Sequence, residues 1–321
     1  MKKFTSLFLL MFMFALSLFS CADTTAIKVG YMSGPTGMGM AKMIHDNLDS
    51  DEKYEFTNFE NNTQGALAKL VAGEVDIVCV PTNLAAIYYN QNKNIQVLAV
   101  NCLNSLYVVT DKNTTLNSFE DLNGTTIYTC KSGTPKPIIE YVLRELGINA
   151  TVSTSFEGTE IIEPKNIGQL VTAGKLPIAV MPEPLVTSSL LQIQKNGDKN
   201  IEYSVDLDLA DAWNETNDTP VTMGCIVTTT DFAANNKNKI DNFLAEYEAS
   251  INYISKTDNL DSASEFIVES AIIGALPAAK KSLANLGDSI AYLDGEEMKE
   301  ALLAFYKALN LAAPDNSFFY E

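Results

Sequence analysis

Two glycine-containing loops carry the residue types that could hold a ligand. The stretch "YMSGPTGMGM" (Tyr31 to Met40) places Gly34, Gly37 and Gly39 between a strand-like run and a helical one. Such a loop at a helix N-terminus offers backbone amides to anions and polar ligand ends. Its order, G-x-x-G-x-G, reverses the dinucleotide fingerprint, and Met40-Ala41 stands where a phosphate loop needs Lys-Ser or Lys-Thr, so both nucleotide readings fail. What remains is a ligand-holding loop over Ser33, Gly34, Pro35, Thr36 and Gly37, or a tight turn with close packing. The stretch "TCKSGTP" (Thr129 to Pro135) repeats the plan further along and adds a cation, which makes Lys131, Ser132, Gly133 and Thr134 its counterparts. Arginine is the usual bidentate partner of carboxylates, and the single arginine, Arg144, falls mid-helix. Pairing with an anion therefore falls to Lys131. Two apolar runs end in Pro81-Thr82-Asn83 and Pro182-Glu183-Pro184. Thr82 and Asn83 offer hydrogen bonds, and Glu183 is either a ligand contact or a solvated turn residue.

Catalytic constellations are missing. The one histidine, His45, lies on a helix away from the side that carries Met40, Ile44 and Leu48, so it reads as a surface residue. Without it no Ser–His or Cys–His arrangement can be built. Met38, Met40 and Met43 fall at helical spacing and read as core filler, not as a soft-metal site. Trp213, in "DAWNETND", reads as the anchor of its loop. No catalytic residue, metal or cofactor is expected.

The elements that position these residues alternate strand and helix, which predicts an α/β sheet that is largely parallel. "IKVGYM" is a buried strand, and Met38 to Leu48 predicts one amphipathic helix with Met40, Met43, Ile44 and Leu48 on its inner face. "ALAKLVAG" is a helix stopped by Gly73, and "EVDIVCV" a strand ending at Pro81. The plan recurs in "TTIYTCKSGTPKPIIEYVLREL", whose helix turns Ile138, Ile139, Val142, Leu143 and Leu146 inward, and in "LVTAGKLPIAVMPEPLV". The chain therefore divides into two similar lobes. "SLYVVTDK" (Ser105 to Lys112) is the outward crossover and "VTMGCIVTTT" (Val221 to Thr230) the return, which makes a hinge and a cleft. The divisions expected are a first lobe over 27–107 and 225–321 and a second over 108–224. The last stretch is helical: Ile240, Phe243, Leu244, Tyr247, Ile251 and Ile254 share one face. Asp294 with Glu297 makes a capping-box pattern ahead of Met298, Leu302, Phe305 and Leu309.

The N-terminus is a leader. Lys2 and Lys3 precede an apolar run to Phe19, too short for a stable span, so residues 1–20 read as a signal peptide. It ends in "LFSC", similar to the bacterial lipoprotein box, in which Cys21 is lipidated and residues 21–26 form a tether. The expected place is the cell envelope, exported and lipid-anchored to a membrane. A net charge of −18 excludes nucleic acid, whose phosphates need a basic surface. The other cysteines, Cys79, Cys102, Cys130 and Cys225, lack the paired spacing of zinc sites, and their compartment permits disulfides without indicating them.

Together these stretches resemble the type II periplasmic solute-binding lipoproteins of ABC importers. Within that group the chain is most similar to the nitrate/sulfonate/taurine and NMT1/THI5-like proteins, through "VGYMSGPTGMGMAKMI", "LVAGEVDIVCVPTN", "LNSFEDLNGTTIYTCKSGTP", "AVMPEPLV" and "IVTTTDFAANNKNKIDNFLAEY". The cysteine-rich motif of the thiamine-precursor binders is not present. The resemblance implies a two-lobed fold, a cleft lined by Ser33 to Gly37, Thr82, Asn83 and Lys131 to Thr134, and a small polar or anionic organic solute as ligand. It implies partnership with a permease and its ATPase, in a monomer without enzymatic activity. The alternatives are a sensory or adhesive lipoprotein, and an enzyme of menaquinone synthesis on the same fold.

Overall fold

The computed structural model describes residues 26–48 and 53–321, so the expected leader and Cys21 lie outside the described residues. The strands, in chain order, are β1 (Ile27–Tyr31), β2 (Tyr54–Asn58), β3 (Ile77–Pro81), β4 (Ile95–Leu103), β5 (Leu106–Asp111), β6 (Thr126–Tyr128), β7 (Thr151–Ser153), β8 (Ser155–Phe156), β9 (Thr159–Glu160), β10 (Ile178–Pro182), β11 (Tyr203–Asp208) and β12 (Thr222–Thr229). They build two five-stranded sheets, ordered β2-β1-β3-β12-β4 and β11-β5-β10-β6-β7, and a β8-β9 hairpin.

Each large sheet is mixed: four of its five strands run the same way, as the sequence predicts, and one is reversed. In the first, β12 runs antiparallel to both β3 and β4; in the second, β5 runs antiparallel to both β10 and β11. The remaining pairs, β1 with β2 and β3, and β6 with β7 and β10, are parallel. The reversed strand of each sheet is the first one after a crossing between lobes. A chain arriving from the opposite lobe enters at the seam, so it runs against strands whose carboxyl ends point there. The crossings occupy 104–105 and 209–221, and the expected divisions after residues 107 and 224 fall inside β5 and β12.

The sequence from Met38 to Leu48 forms two short helices, Pro35–Met38 and Ala41–Asp46, instead of one. Met40 N donates to Gly37 O at 2.9 Å, a three-residue closure that ends the first helix before the second begins. Met40, Met43 and Ile44 are buried as expected, but Leu48 lies beyond the second helix and is 51% exposed. The helix Pro135–Glu145 buries Ile138, Ile139, Val142 and Leu143, with Leu146 half-buried past its end. The helix Lys237–Ile254 buries all six residues of its predicted face. Asp294 precedes the helix Gly295–Ala308 but makes no side-chain cap; its carboxylate accepts from the Tyr292 hydroxyl at 3.1 Å instead. That helix buries Met298, Leu302 and Phe305 and leaves Leu309 half-buried.

One apolar core runs through the first lobe and continues across the seam. Trp213, fully buried, bridges it, with ring centroids 4.7 Å from Tyr141 in the second lobe and 5.8 Å from Phe305 in the first. Its indole donates to Thr219 O at 2.7 Å, which makes it an anchor, as its sequence context suggests. A smaller core around Val109, Ile167, Ala179 and Met181 fills the other face of the second sheet. The outer edge of β4 is covered by two later segments: Val100 exchanges backbone hydrogen bonds with Leu293, and Tyr320 N donates to Val97 O. Cys79, Cys102, Cys130 and Cys225 are free and buried. Burial pushes the thiols of Cys79 and Cys102 up to about 12 and that of Cys130 to about 11, so they pack as small hydrophobes.

Candidate functional site

The first wall of the seam is built where β3, β4 and β12 meet it. Thr82 and Asn83 open the helix Thr82–Asn92 directly after β3, and both are buried. The Thr82 hydroxyl donates to Thr222 O at 2.6 Å, and its carbonyl accepts from the Tyr306 hydroxyl at 3.1 Å. Asn101, 1% exposed, stands near the end of β4. Its amide nitrogen donates to Thr36 O at 2.9 Å and contacts the Tyr247 hydroxyl at 2.8 Å. A carbonyl can only accept, so the Thr36 contact fixes the orientation of this amide and leaves Oδ1 on the other side. That oxygen lies 2.6 Å from where a Cβ on Gly224 would stand, and the Thr36 side chain presses on the same point at 2.8 and 3.0 Å. Glycine at 224 is thus required by two neighbours at once. Asn101 Oδ1, Asn83 Oδ1 and Thr222 Oγ1 have no hydrogen-bond partner within the protein. A buried polar atom without a partner costs about 1–3 kcal/mol, and three of them make this wall the candidate for ligand contact.

The glycine loop that leads into this wall is tightly held. Gly34 has φ 84°, and Pro184 of the other lobe comes within 3.4 Å of its Cβ position. Ser33 N donates to Glu60 O at 2.8 Å, Gly34 N to Ile272 O at 3.3 Å, and Gly37 N to Gly34 O at 3.0 Å. The expectation of a loop rich in free amides is corrected by these three contacts. A Cβ on Gly37 would fall 1.9 Å from Met32 O, so this glycine serves close backbone packing.

The second wall divides into a buried part and an exposed part. Glu183 is 1% exposed, which removes the solvated-turn reading. Its carboxylate accepts from Thr187 Oγ1 at 2.8 Å, from Thr187 N at 3.3 Å and, across the seam, from Asn285 Nδ2 at 2.7 Å. Its own amide donates to Ser105 O in the crossing at 2.9 Å. Thr134, also buried, reaches Met223 at the start of β12 with its hydroxyl 3.5 Å from the sulfur. Lys131, Ser132 and Gly133 are exposed. Lys131 and Ser132 give their amides to Ile161 O and Ile162 O, and Lys131 Nζ pairs with Glu160 at 2.8 Å, both side chains more than half exposed. The structure thus engages the expected anion-pairing lysine with a carboxylate of the β8-β9 hairpin. Gly34, Thr36, Thr82, Asn83, Thr134 and Glu183 come together along the seam, whereas Lys131 to Gly133 lie at its rim.

Four residues of the site escape a motif-based reading: Asn101, Thr222, Gly224 and Asn285. The one sequence signal for Asn101 is a lone amide in the apolar run "VLAVNCL". Among the described residues no group of three His, Cys, Asp or Glu side chains could hold a metal ion. His45 is outside the seam, stacked on Phe266 at 3.8 Å and bonded to Glu269 at 2.6 Å. Two surface hollows of about 590 and 580 Å³ lie off the seam, one beside the helix Leu185–Asn196 and one under the C-terminal residues.

Two similar α/β lobes, exchanged through two crossings and closed over a polar seam, recur among solved structures. An ABC transporter structure from Parabacteroides distasonis matches at TM-score 0.73 and 23% identity, over 92% of this chain and 99% of that one. The fold is that of the type II periplasmic solute-binding proteins. The periplasmic aliphatic sulphonate binding protein from Escherichia coli matches at TM-score 0.68 and 14% identity, over 92% of each chain. The periplasmic nitrate-binding protein from Synechocystis matches at TM-score 0.58 and 13% identity, over 86% of this chain and 75% of its own. A family model described as menaquinone biosynthesis matches residues 192–310. No curated protein matches the sequence. No helix among the described residues is long and apolar enough to cross a membrane.

Proposed function

We propose that this chain is the solute-binding component of an ABC importer, capturing a small polar organic solute between its lobes. The observation that carries the reading is the seam itself: buried, unpartnered polar atoms on one lobe and a buried carboxylate on the other, in a type II solute-binding fold. A solute touching both walls favours the closed arrangement by its differential affinity, and the closed form docks on a permease and its ATPase. The "LFSC" segment supports export and lipid attachment at Cys21, which would hold a monomeric receptor at the membrane. Deleting the gene and measuring uptake, with native mass spectrometry of the gently purified protein, tests the proposal. Loss of uptake of the co-purified solute is expected; unchanged uptake points to the sensory or adhesive alternative.

A second reading, an enzyme of menaquinone synthesis on the same fold, draws on the family match over residues 192–310. That span holds β12 and Asn285 but none of Thr36, Thr82, Asn83, Asn101 or Glu183. Solute recovered chemically unchanged after incubation favours the receptor; turnover favours the enzyme.

A further inference from the structure

We infer that the seam takes a solute presenting N–H donors, an amine, amidine or guanidine group, in preference to an oxyanion; this rests on the solute-binding reading above. The polar atoms without partners on the first wall are Asn83 Oδ1, Asn101 Oδ1 and Thr222 Oγ1. Their residues are 7%, 1% and 0% exposed, so bulk water does not serve them. The orientation of Asn101 is settled by its bond to the Thr36 carbonyl, so its free atom is a true acceptor. The Thr222 hydroxyl can accept as well as donate.

Five backbone donors of the two loops are already engaged. Ser33, Gly34 and Gly37 direct their amides to Glu60, Ile272 and Gly34 carbonyls, and Lys131 and Ser132 direct theirs to Ile161 and Ile162. Lys131 Nζ is held by Glu160, and Arg144, also exposed, pairs with Glu145 at 2.9 Å. The ionisable side chain buried in the second wall is the Glu183 carboxylate. Asn101 Oδ1 can only accept, so an N–H group satisfies it without breaking any bond, whereas an oxyanion would meet it as acceptor against acceptor. A cationic head is also favoured over an anion by the carboxylate buried in the second wall.

The test compares four probes against the purified protein by calorimetry: acetamidine, agmatine, ethanesulfonate and nitrate. Acetamidine or agmatine is expected to bind at least tenfold tighter than either anion, and Asn83→Ala to weaken that binding at least tenfold. Asn101→Leu should do the same; because it also removes the contacts to Thr36 and Tyr247, its fold is checked by circular dichroism. Asn83→Asp, which adds a negative charge beside the acceptors, should tighten the amidine and leave the anions unbound. Tighter binding of ethanesulfonate or nitrate would overturn the ligand class while leaving solute capture intact. Amidine binding unchanged in Asn83→Ala would overturn the placement on this wall. Binding of none of the four would overturn the ligand class, while the solute-binding reading stands or falls on uptake and the co-purified solute.

Discussion

The two glycine loops share a Ser-Gly pair with a left-handed glycine, φ 84° at Gly34 and 81° at Gly133, and differ in how they are held. Ser33 to Gly37 is wedged into its lobe: Gly37 leaves no room beside Met32 O, and Gly34 touches Pro184 across the seam. Lys131 to Gly133 lies open to solvent, secured by two amide bonds to 161–162 and one exposed ion pair. The shared Ser-Gly pair therefore meant two things, a wedged loop in one lobe and a permissive turn at a rim in the other. Substitutions separate them.

The largest effect is expected at Gly37. Gly37→Ala drives a methyl into a backbone oxygen that no rotamer change can move, and should cost about 3 kcal/mol or more, read as a fall in thermal midpoint by calorimetry. Asn285→Ala comes next. It strips one partner from the buried Glu183 carboxylate at the point where the lobes meet, a loss of about 1–3 kcal/mol by denaturant titration. Small-angle scattering should then show the lobes further apart on average, and an unchanged profile would remove the cross-seam role. Gly133→Ala, at φ 81° with only Pro135 Cδ nearby at 3.5 Å, should cost about 1 kcal/mol from backbone strain alone. Smallest of all, Lys131→Ala should change stability by less than about 0.5 kcal/mol, since both partners are solvated. A drop there approaching that of Gly37→Ala would erase the contrast between the loops.

Features that depend on short-range periodicity were legible from sequence. The face of Ile240 to Ile254 follows from a 3.6-residue repeat, and Pro81 marks the end of β3 because proline cannot continue a central ladder. The break at Gly39–Met40 was not legible, because Met40, Met43 and Ile44 keep helical spacing across it while a contact closes the first turn early. The reversal of β5 and β12 was hidden for a related reason: it depends on which lobe the chain arrives from, and no local pattern encodes that. Glu183 sits between two prolines in a segment that reads as a solvated turn. Its burial comes from Thr187 one helical turn ahead and from Asn285 far along the chain. Asn101 and Gly224 belong to the same category, since each is explained by the other and by Thr36.

The covered edge of β4 has a consequence for how the molecule behaves among its own copies. An outermost strand with free amides and carbonyls is a template on which another chain can add itself. Here Leu293 and Tyr320 occupy that template at Val100 and Val97, and Lys237 Nζ holds the last residue, Glu321, by its carbonyl at 2.9 Å. The final residues are therefore a guard against fibrous stacking. A chain shortened before Phe319 would expose the ladder at Val97, and oligomers joined strand to strand would replace a monodisperse preparation.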